Sequence, residues 1–597
     1  MGPRTAAWLI YHRLKKRLFI AQTRRHIPVY LPNTNFISSA RADHSFDFLQ
    51  TRHHSDIYQA ADNAVTRTFT ILGHPAHTFA QDIKWHQDFT CATASPQAWQ
   101  NTFYAALTIP AHADTPQPDI KVPWELSRLE CCRDLGYGYA RALAHNDTDR
   151  ARRYAQTFVT YIEDWVAKNP FLFGVNWVNP MEVALRGINL VTALHLFKHE
   201  PCIPDTFWAS YGTLLVQHID YLEHNWEVSD RPNNHYLADL VGHFYLCTCM
   251  RFIARYDRAR RRTTRTIIDQ LFHQTLSDGT VYEGSTHYHK LVTELIELFI
   301  ALADHAGILL PTHLRTKFTL MQHFIRDCSD QSGNLVLIGD EDGGKIGSAR
   351  TGSRSAYSTP LITYPNFGLS IIKDSRIHLT FRHPTYTSHQ PTGHFHHDQL
   401  SITLSINGIP FFVDPGTYCY TSNAAQRNYF RSFAAHNTFY IPSLTPDDAH
   451  LFILNRQPHP PANKTQEDNA CITLQDFYHA APGIRLHRRI TYHQQTGVLE
   501  IEDGQEREKF EIGKKIDAHW ALHLVPGIVA IHEAENRWAF MHDKMRVAWL
   551  ETSLPYTTHQ DEVSPLYGTK VASTTLRAIT NSQAPQKMVI SLVATHD

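Results

Sequence analysis

The apolar residues of this 597-residue chain change their spacing once, near position 330, and that change limits the fold more than any other feature. Between about 95 and 325 they recur every third or fourth position, the spacing that lays a stripe along a helix. LSRLECCRDLGYGYARAL, ARRYAQTFVTYIEDWVAK, MEVALRGINLVTALHLF and LVTELIELFIALADHAGILL are examples. Breaks fall at Asn169-Pro170, Asn179-Pro180, Pro201 to Pro204, Arg231-Pro232 and Ser277-Asp278-Gly279, which leaves helices of ordinary length with short links, able to close into a ring or a bundle. Past 330 the spacing falls to two. Leu400, Ile402, Leu404 and Ile406 alternate, Asn407-Gly408 turns, and Ile409, Phe411 and Val413 return, a hairpin signature. CITLQDFYHA, RRITYHQQTGVLEIED and HWALHLVPGIVAIHEA continue the strands. Helices followed by strands predict a multidomain α+β protein with a helical domain and then an antiparallel β-sandwich, and the chain is too long for one core. The divisions are 1–90, an N-terminal basic helix and extended region; 91–330, helical; and 331–597, β, with the junction between Ser332 and Pro365 around GDEDGGKIGSARTGSRS.

Charge narrows the partners. Lys plus Arg (56) nearly cancels Asp plus Glu (57), so no global field points to nucleic acid or an acidic membrane, although local basic clefts stay open. With 40 histidines a lone histidine carries no information, and only patterned ones count. Nine cysteines, an odd number with Cys131 beside Cys132 and Cys247 near Cys249, form neither a disulfide framework nor a zinc ribbon and read as mostly buried thiols. At the amino terminus a brief apolar stretch, Ala6 to Tyr11, precedes Arg13, Lys15, Lys16 and Arg17, the reverse of a secretory signal. No signal is legible, which makes cytoplasmic the default expectation and periplasmic the alternative. The same stretch suits a basic helix packed on the body or an amphipathic helix on a membrane surface. No run approaches the roughly 20 apolar residues of a membrane span.

Four clusters carry chemistry. Gly393-His394-Phe395-His396-His397-Asp398 leads into the hairpin, and such a density of polar side chains at a strand entry needs partners. Asp414 ends the returning strand and His436 follows, and two imidazoles with a carboxylate suit zinc. If Asn407-Gly408 is a two-residue turn, Asp414 faces Ser401, about five residues from His396, so residues 397 to 400 must bend or bulge. Arg231-Pro232-Asn233-Asn234-His235-Tyr236 precedes a helix, and either Asn233 or Asn234 caps it, or an Asn and His together bind a carboxylate. The stretch from Asp278 to His289, with Glu283, His287 and Tyr288, is a turn and then a tight titratable group opening an apolar helix. Arg427 and Arg431, in QRNYFRSFAAHNT, fit an anionic substrate or an internal acid. Asp340-Glu341-Asp342-Gly343-Gly344 lacks the spacing of an EF-hand and reads as a turn at the junction.

Taken in order, KVPWELSRLE, NPMEVALRGINLV, NNHYLADLVG, DGTVYEGSTHYHKL, GHFHHDQLSI, FFVDPGTY and YFRSFAAHNT resemble the heparinase II/III family of polysaccharide lyases over most of the chain. The resemblance implies an incomplete (α/α) toroid followed by an antiparallel β-sandwich. It places the catalytic groups at Asn234, His235, Tyr288 and His394 and a structural zinc on His396, Asp414 and His436. Phe395 and His397 depart from the family's Gly-His-Gly-His-Ala-Asp pattern, so His397 could compete as a ligand or narrow the cleft.

The implied reaction is β-elimination: a uronate loses its C5 proton and then the C4 oxygen, leaving a double bond. Asn234, with His235 or His394, would hydrogen-bond or neutralise the carboxylate, and Tyr288 would take the C5 proton, protonate the departing oxygen, or do both if these lie on the same face. An ordinary phenol has a pKa of about 10, so a basic tyrosine needs cationic or hydrogen-bonding neighbours to lower it, for which His394 and Arg431 are candidates. Arg427, Arg431 and Glu283 are the expected substrate contacts. The partner is an anionic polysaccharide, with heparan-like glycosaminoglycan, alginate and bacterial exopolysaccharide all open. Two other readings stand beside the lyase: an (α/α)-barrel glycoside hydrolase using Glu283 and Asp239, and a non-catalytic glycan-binding or assembly protein.

Overall fold

The computed structural model describes residues 3–30, 36–51, 56–109, 116–344, 346, 360–383, 393–446, 450–454, 464–467, 470–507 and 516–593. The chain forms two compact units: Met1–Gln274, Leu291–Thr316 and Gly344–Ser348 in the first, and Thr275–Lys290, Lys317–Gly343 and Ala349–Asp597 in the second. Most of the expected junction sequence, Lys345 and 347–359, lies outside the described residues.

The first unit is helical. Its centre is Pro180–Phe197, buried at every position because it is apolar nearly all round, and it packs against Glu130–Ala144, Asp205–Asn225 and Asn234–Cys249. Each break read from sequence falls between helices. LSRLECC does not run into the following helix as one piece. Lys121–Leu126 ends, Leu129 takes a left-handed φ of 58°, and a new helix begins at Glu130. Pro3–Arg25 is helical and rests on the body through buried Leu9, Phe19 and Thr23, with Lys15 Nζ donating to Glu223 O at 2.8 Å. No described helix is long and apolar enough to cross a membrane. All nine cysteines are free, and five are buried.

The second unit is antiparallel β. A five-stranded sheet runs Leu361–Tyr364, Leu369–Lys373, Ile377–Arg382, Ile402–Ile406, Ile409–Phe412 in spatial order. An eight-stranded sheet holds the later hairpins, and a four-stranded sheet is built around Thr569–Thr580 and Ala518–His523. Their inner faces share one apolar core, with Leu404, Leu486 and Leu522 drawn from the three sheets. Asn407 and Gly408 have φ of 52° and 80°, the double left-handed turn that closes a two-residue hairpin. Strand pairing departs from the straight register. A bulge after Leu404 sets it opposite Phe412 and not Phe411, shifting the way to Asp414 by one residue. The required bend before the hairpin is present: Leu400 has φ 61° and Ser401 N donates to Asp398 O at 3.0 Å.

Candidate active site and metal centre

The start of the helix Thr286–His305 belongs to the second unit, and its capping positions Tyr288. Ser285 Oγ accepts from Tyr288 N at 3.1 Å and donates to Asp340 O at 2.6 Å. Thr286 N donates to Ile338 O at 3.0 Å, and Thr286 Oγ1 donates to Val336 O at 2.7 Å. Asp340 N in turn donates to His394 O at 3.0 Å. Gly339 permits this approach: its φ is 69°, and a Cβ there would sit 2.6 Å from His394 O. Helix start, residues 336–340 and the 393–397 loop are therefore one hydrogen-bonded assembly.

In that assembly the rings of Tyr288 and His394 stack, with centroids 3.6 Å apart and planes 18° from parallel. The two residues proposed from sequence to act together are thus in contact. The Tyr288 hydroxyl shares a 2.8 Å hydrogen bond with the Tyr420 hydroxyl. The expectation of a lowered Tyr288 pKa is corrected. Burial, then the charges of Asp342 and Asp340 and the neighbouring Tyr420, push it well above the ordinary phenol value. Arg431, offered as a cation that could lower it, is not among the main influences on it; its guanidinium donates to Leu451 O at 3.3 Å, to Ile453 O at 3.4 Å and to Asn428 Oδ1 at 3.1 Å.

Asp340 is the electrostatic hub, and the sequence reading missed it. Fully buried, it accepts from His394 Nδ1 at 3.1 Å, from His396 Nε2 at 2.9 Å and from both terminal nitrogens of Arg427, Nη2 at 2.8 Å. Burial pushes its carboxyl up, but Arg427 and the two histidine hydrogen bonds outweigh that and hold it well below the usual carboxylate range. Of the two readings open for Arg427, the internal acid is the one displayed; with no exposure, it acts on the site through Asp340. Glu283 Oε2 lies 3.4 Å from His394 Nε2, so two carboxylates flank that imidazole.

His396, Asp414 and His436 offer ligand atoms that all lie within 4.8 Å of one another, and all three are buried. His396 Nε2 is taken by Asp340, while His396 Nδ1 is buried without a hydrogen-bond partner, as is His436 Nε2. Buried imidazole nitrogens left bare, beside a carboxylate, are the donor set a zinc ion takes, and an aspartate on the far nitrogen of a ligating histidine is the usual outer support. The AHNT segment holds the group together. Asn437 Nδ2 donates to Ile402 O at 2.9 Å and to Val413 O at 2.8 Å, bridging the strand Ile402–Ile406 and the segment that leads from the strand Ile409–Phe412 to Asp414. His397 is not in the group: its ring stacks on Phe433, 5.1 Å between centroids, and Phe395 is buried with its ring against Gly284.

In the first unit, Asn233 is the helix cap, accepting from His235 N at 3.2 Å, which leaves Asn234 as the first helical residue, fully buried. His235 Nδ1 lies 2.9 Å from Glu227 Oε2, and Asp239 accepts from Glu227 N at 2.9 Å. Besides Asp340, sequence reasoning passed over Tyr420, which stands just past the FFVDPGTY segment.

A helical domain followed by a domain of antiparallel sheets is the toroid-and-sandwich architecture. Residues 11–323 match the family described as heparinase II/III N-terminus, and residues 357–592 match that described as heparinase II/III-like, C-terminal. The chain belongs to the heparinase II/III family and is a polysaccharide lyase, a carbon–oxygen lyase. Among solved structures it is similar to a heparinase III (13% identity, TM-score 0.65, covering 94% of this chain and 92% of that one). It is also similar to a heparan sulfate lyase from Pedobacter heparinus (15% identity, TM-score 0.56, covering 94% and 88%). These likenesses bear out the incomplete toroid followed by a β-sandwich. No curated protein matches the chain. Family membership sets aside the hydrolase and the non-catalytic readings.

Proposed function

We propose that the protein cleaves a uronic-acid-containing polysaccharide by β-elimination, with Tyr288 as the proton donor to the departing O4. The observation that carries this is the Tyr288–His394 stack, with the phenol hydrogen-bonded to Tyr420. A phenol whose pKa is raised keeps its proton at neutral pH and is set up to give it to an oxygen that becomes a strong base as the C4–O bond breaks. His394, in face contact with it, is the adjacent group able to accept the C5 proton. Asn234 and His235 carry the family's role of stabilising the charge that develops on the uronate carboxylate. His396, Asp414 and His436 would hold a zinc ion that supplies no step and serves to fix the hairpin entry, and Asp340 ties His396 to His394.

The test is a screen of uronic-acid polymers, including heparan-like glycosaminoglycans and alginate, followed by ultraviolet absorbance. Absorbance rising on at least one polymer supports the reading. Chain cleavage without absorbance, or no cleavage of any such polymer, refutes it.

A further inference from the structure

The N-terminal helix Pro3–Arg25 has a second face that its packing leaves unused. Leu9, Phe19 and Thr23 turn inward, and Phe19 stacks on His224 at 4.3 Å between centroids, so the helix is seated on the first unit. Outward stand Ala7, Tyr11, Leu14, Leu18 and Ala21, spaced four, three, four and three and all exposed, with Ile10 beside them. Ile10, Tyr11, Leu14 and Leu18 are 56%, 59%, 52% and 63% exposed, a contiguous apolar ridge where a single exposed leucine would mean nothing.

Charge tells what covers the ridge. The helix carries seven Lys and Arg and no Asp or Glu, in a chain whose net charge is −1. Helix Ala254–Gln274 adds six arginines, and the two helices meet at Glu223, whose carbonyl accepts from Lys15 and whose carboxylate accepts from Arg255 at 3.0 Å. Arg262 and Arg255 lie near enough to Lys15 to oppose its charge. Arg13, Arg17, Arg258, Arg262 and Arg265 are exposed and have no acidic partner among the described residues. A second copy of the chain would bring arginine against arginine along such a ridge, with no acid on the helix to pair them. A soluble acidic polysaccharide would use the arginines but gains nothing from leucine and isoleucine. A bilayer with anionic lipids uses both: acyl chains for the ridge and headgroups for its basic margin.

We propose that the first unit docks on an anionic phospholipid surface through the outer face of Pro3–Arg25 and the arginines of Ala254–Gln274. The docking is peripheral, independent of the elimination chemistry, and weakens with salt.

The full-length protein is sedimented with phosphatidylcholine vesicles, with and without phosphatidylglycerol. Sedimentation is expected only with phosphatidylglycerol and falls as salt rises. Leu14→Ser/Leu18→Ser should weaken it by more than about tenfold, and Arg258→Gln/Arg262→Gln by about fivefold per charge. Both variants should keep the wild-type melting temperature and activity on soluble polymer. The proposal is overturned if the protein ignores phosphatidylglycerol vesicles or if the serine variant binds them unchanged. It is also overturned if that variant's effect is to abolish a dimer seen in light scattering without vesicles. Binding of soluble acidic polysaccharide in place of vesicles would reassign the arginines and overturn it as well.

Discussion

Replacing Asp340 by asparagine tests the hub that joins the stacked pair to the proposed metal ligands. The wild-type carboxylate receives two Arg427 nitrogens, His394 Nδ1 and His396 Nε2, all inside the protein. An amide of the same shape offers one acceptor atom and brings two N–H donors of its own, so at least one buried donor must face another. The Arg427 guanidinium is left in the interior without its counter-charge. Removing one member of a buried pair costs about 3–5 kcal/mol, because the survivor stays desolvated. Arg427→Met strands Asp340 and should cost a similar amount. The double variant carries neither charge, so its loss should fall short of the sum of the single losses by more than about 1 kcal/mol. Urea unfolding followed by tryptophan fluorescence and by circular dichroism measures all three. Single variants within about 0.5 kcal/mol of wild type, or a double variant that is simply additive, would refute the hub.

Three further outcomes follow from the same geometry. Gly339→Ala places a Cβ 2.6 Å from His394 O at a left-handed φ of 69°, whereas Gly307→Ala has the same φ and nothing within 4 Å. The first should lower the melting temperature more and lose activity; equal shifts would mean that the close approach does not matter. His289 and His378 are buried and donate to Met321 O and Asp327 O; burial pulls each imidazole down to about 4. Below about pH 6.5 the unfolded chain takes up protons that the folded one refuses, so stability should fall as pH drops from there towards 4, by up to about 3 kcal/mol per histidine. His378→Gln should remove its share of that slope in a pH series of urea titrations, and an unchanged slope would contradict its neutral burial. His436→Ala should lose bound zinc and thermal stability together, and unchanged metal content by atomic absorption would remove it from the ligand set.

The sequence exposes what depends on local spacing. Proline and glycine breaks separate the helices as read, and Asn407-Gly408 makes the expected turn because only residues tolerant of positive φ can close it. The bulge after Leu404 is invisible, since every residue of Ile402–Ile406 is buried and alternation there carries no register. The break at Leu129 hides within an unbroken helical pattern for the same kind of reason. Asp340 reads as a turn acid because its partners, His394, His396 and Arg427, stand 54 to 87 positions away. The direction of the Tyr288 shift is likewise tertiary. His394 does stack on the phenol as the likeness suggests, yet burial first, and then the charges of Asp342 and Asp340, set the direction. What the helix cap shows is the reverse case: Asn233 takes the local role that either asparagine could fill.

The central claim is that Tyr288 gives the proton in an elimination reaction. Its most direct test is Tyr288→Phe, prepared with the same metal content and melting temperature as wild type and assayed by ultraviolet absorbance on a polymer the wild type cleaves. Loss of the hydroxyl alone should cut kcat by at least about a hundredfold, the usual scale of a general acid, while the stack on His394 remains. A folded Tyr288→Phe protein that still forms the unsaturated product at the wild-type rate would contradict it.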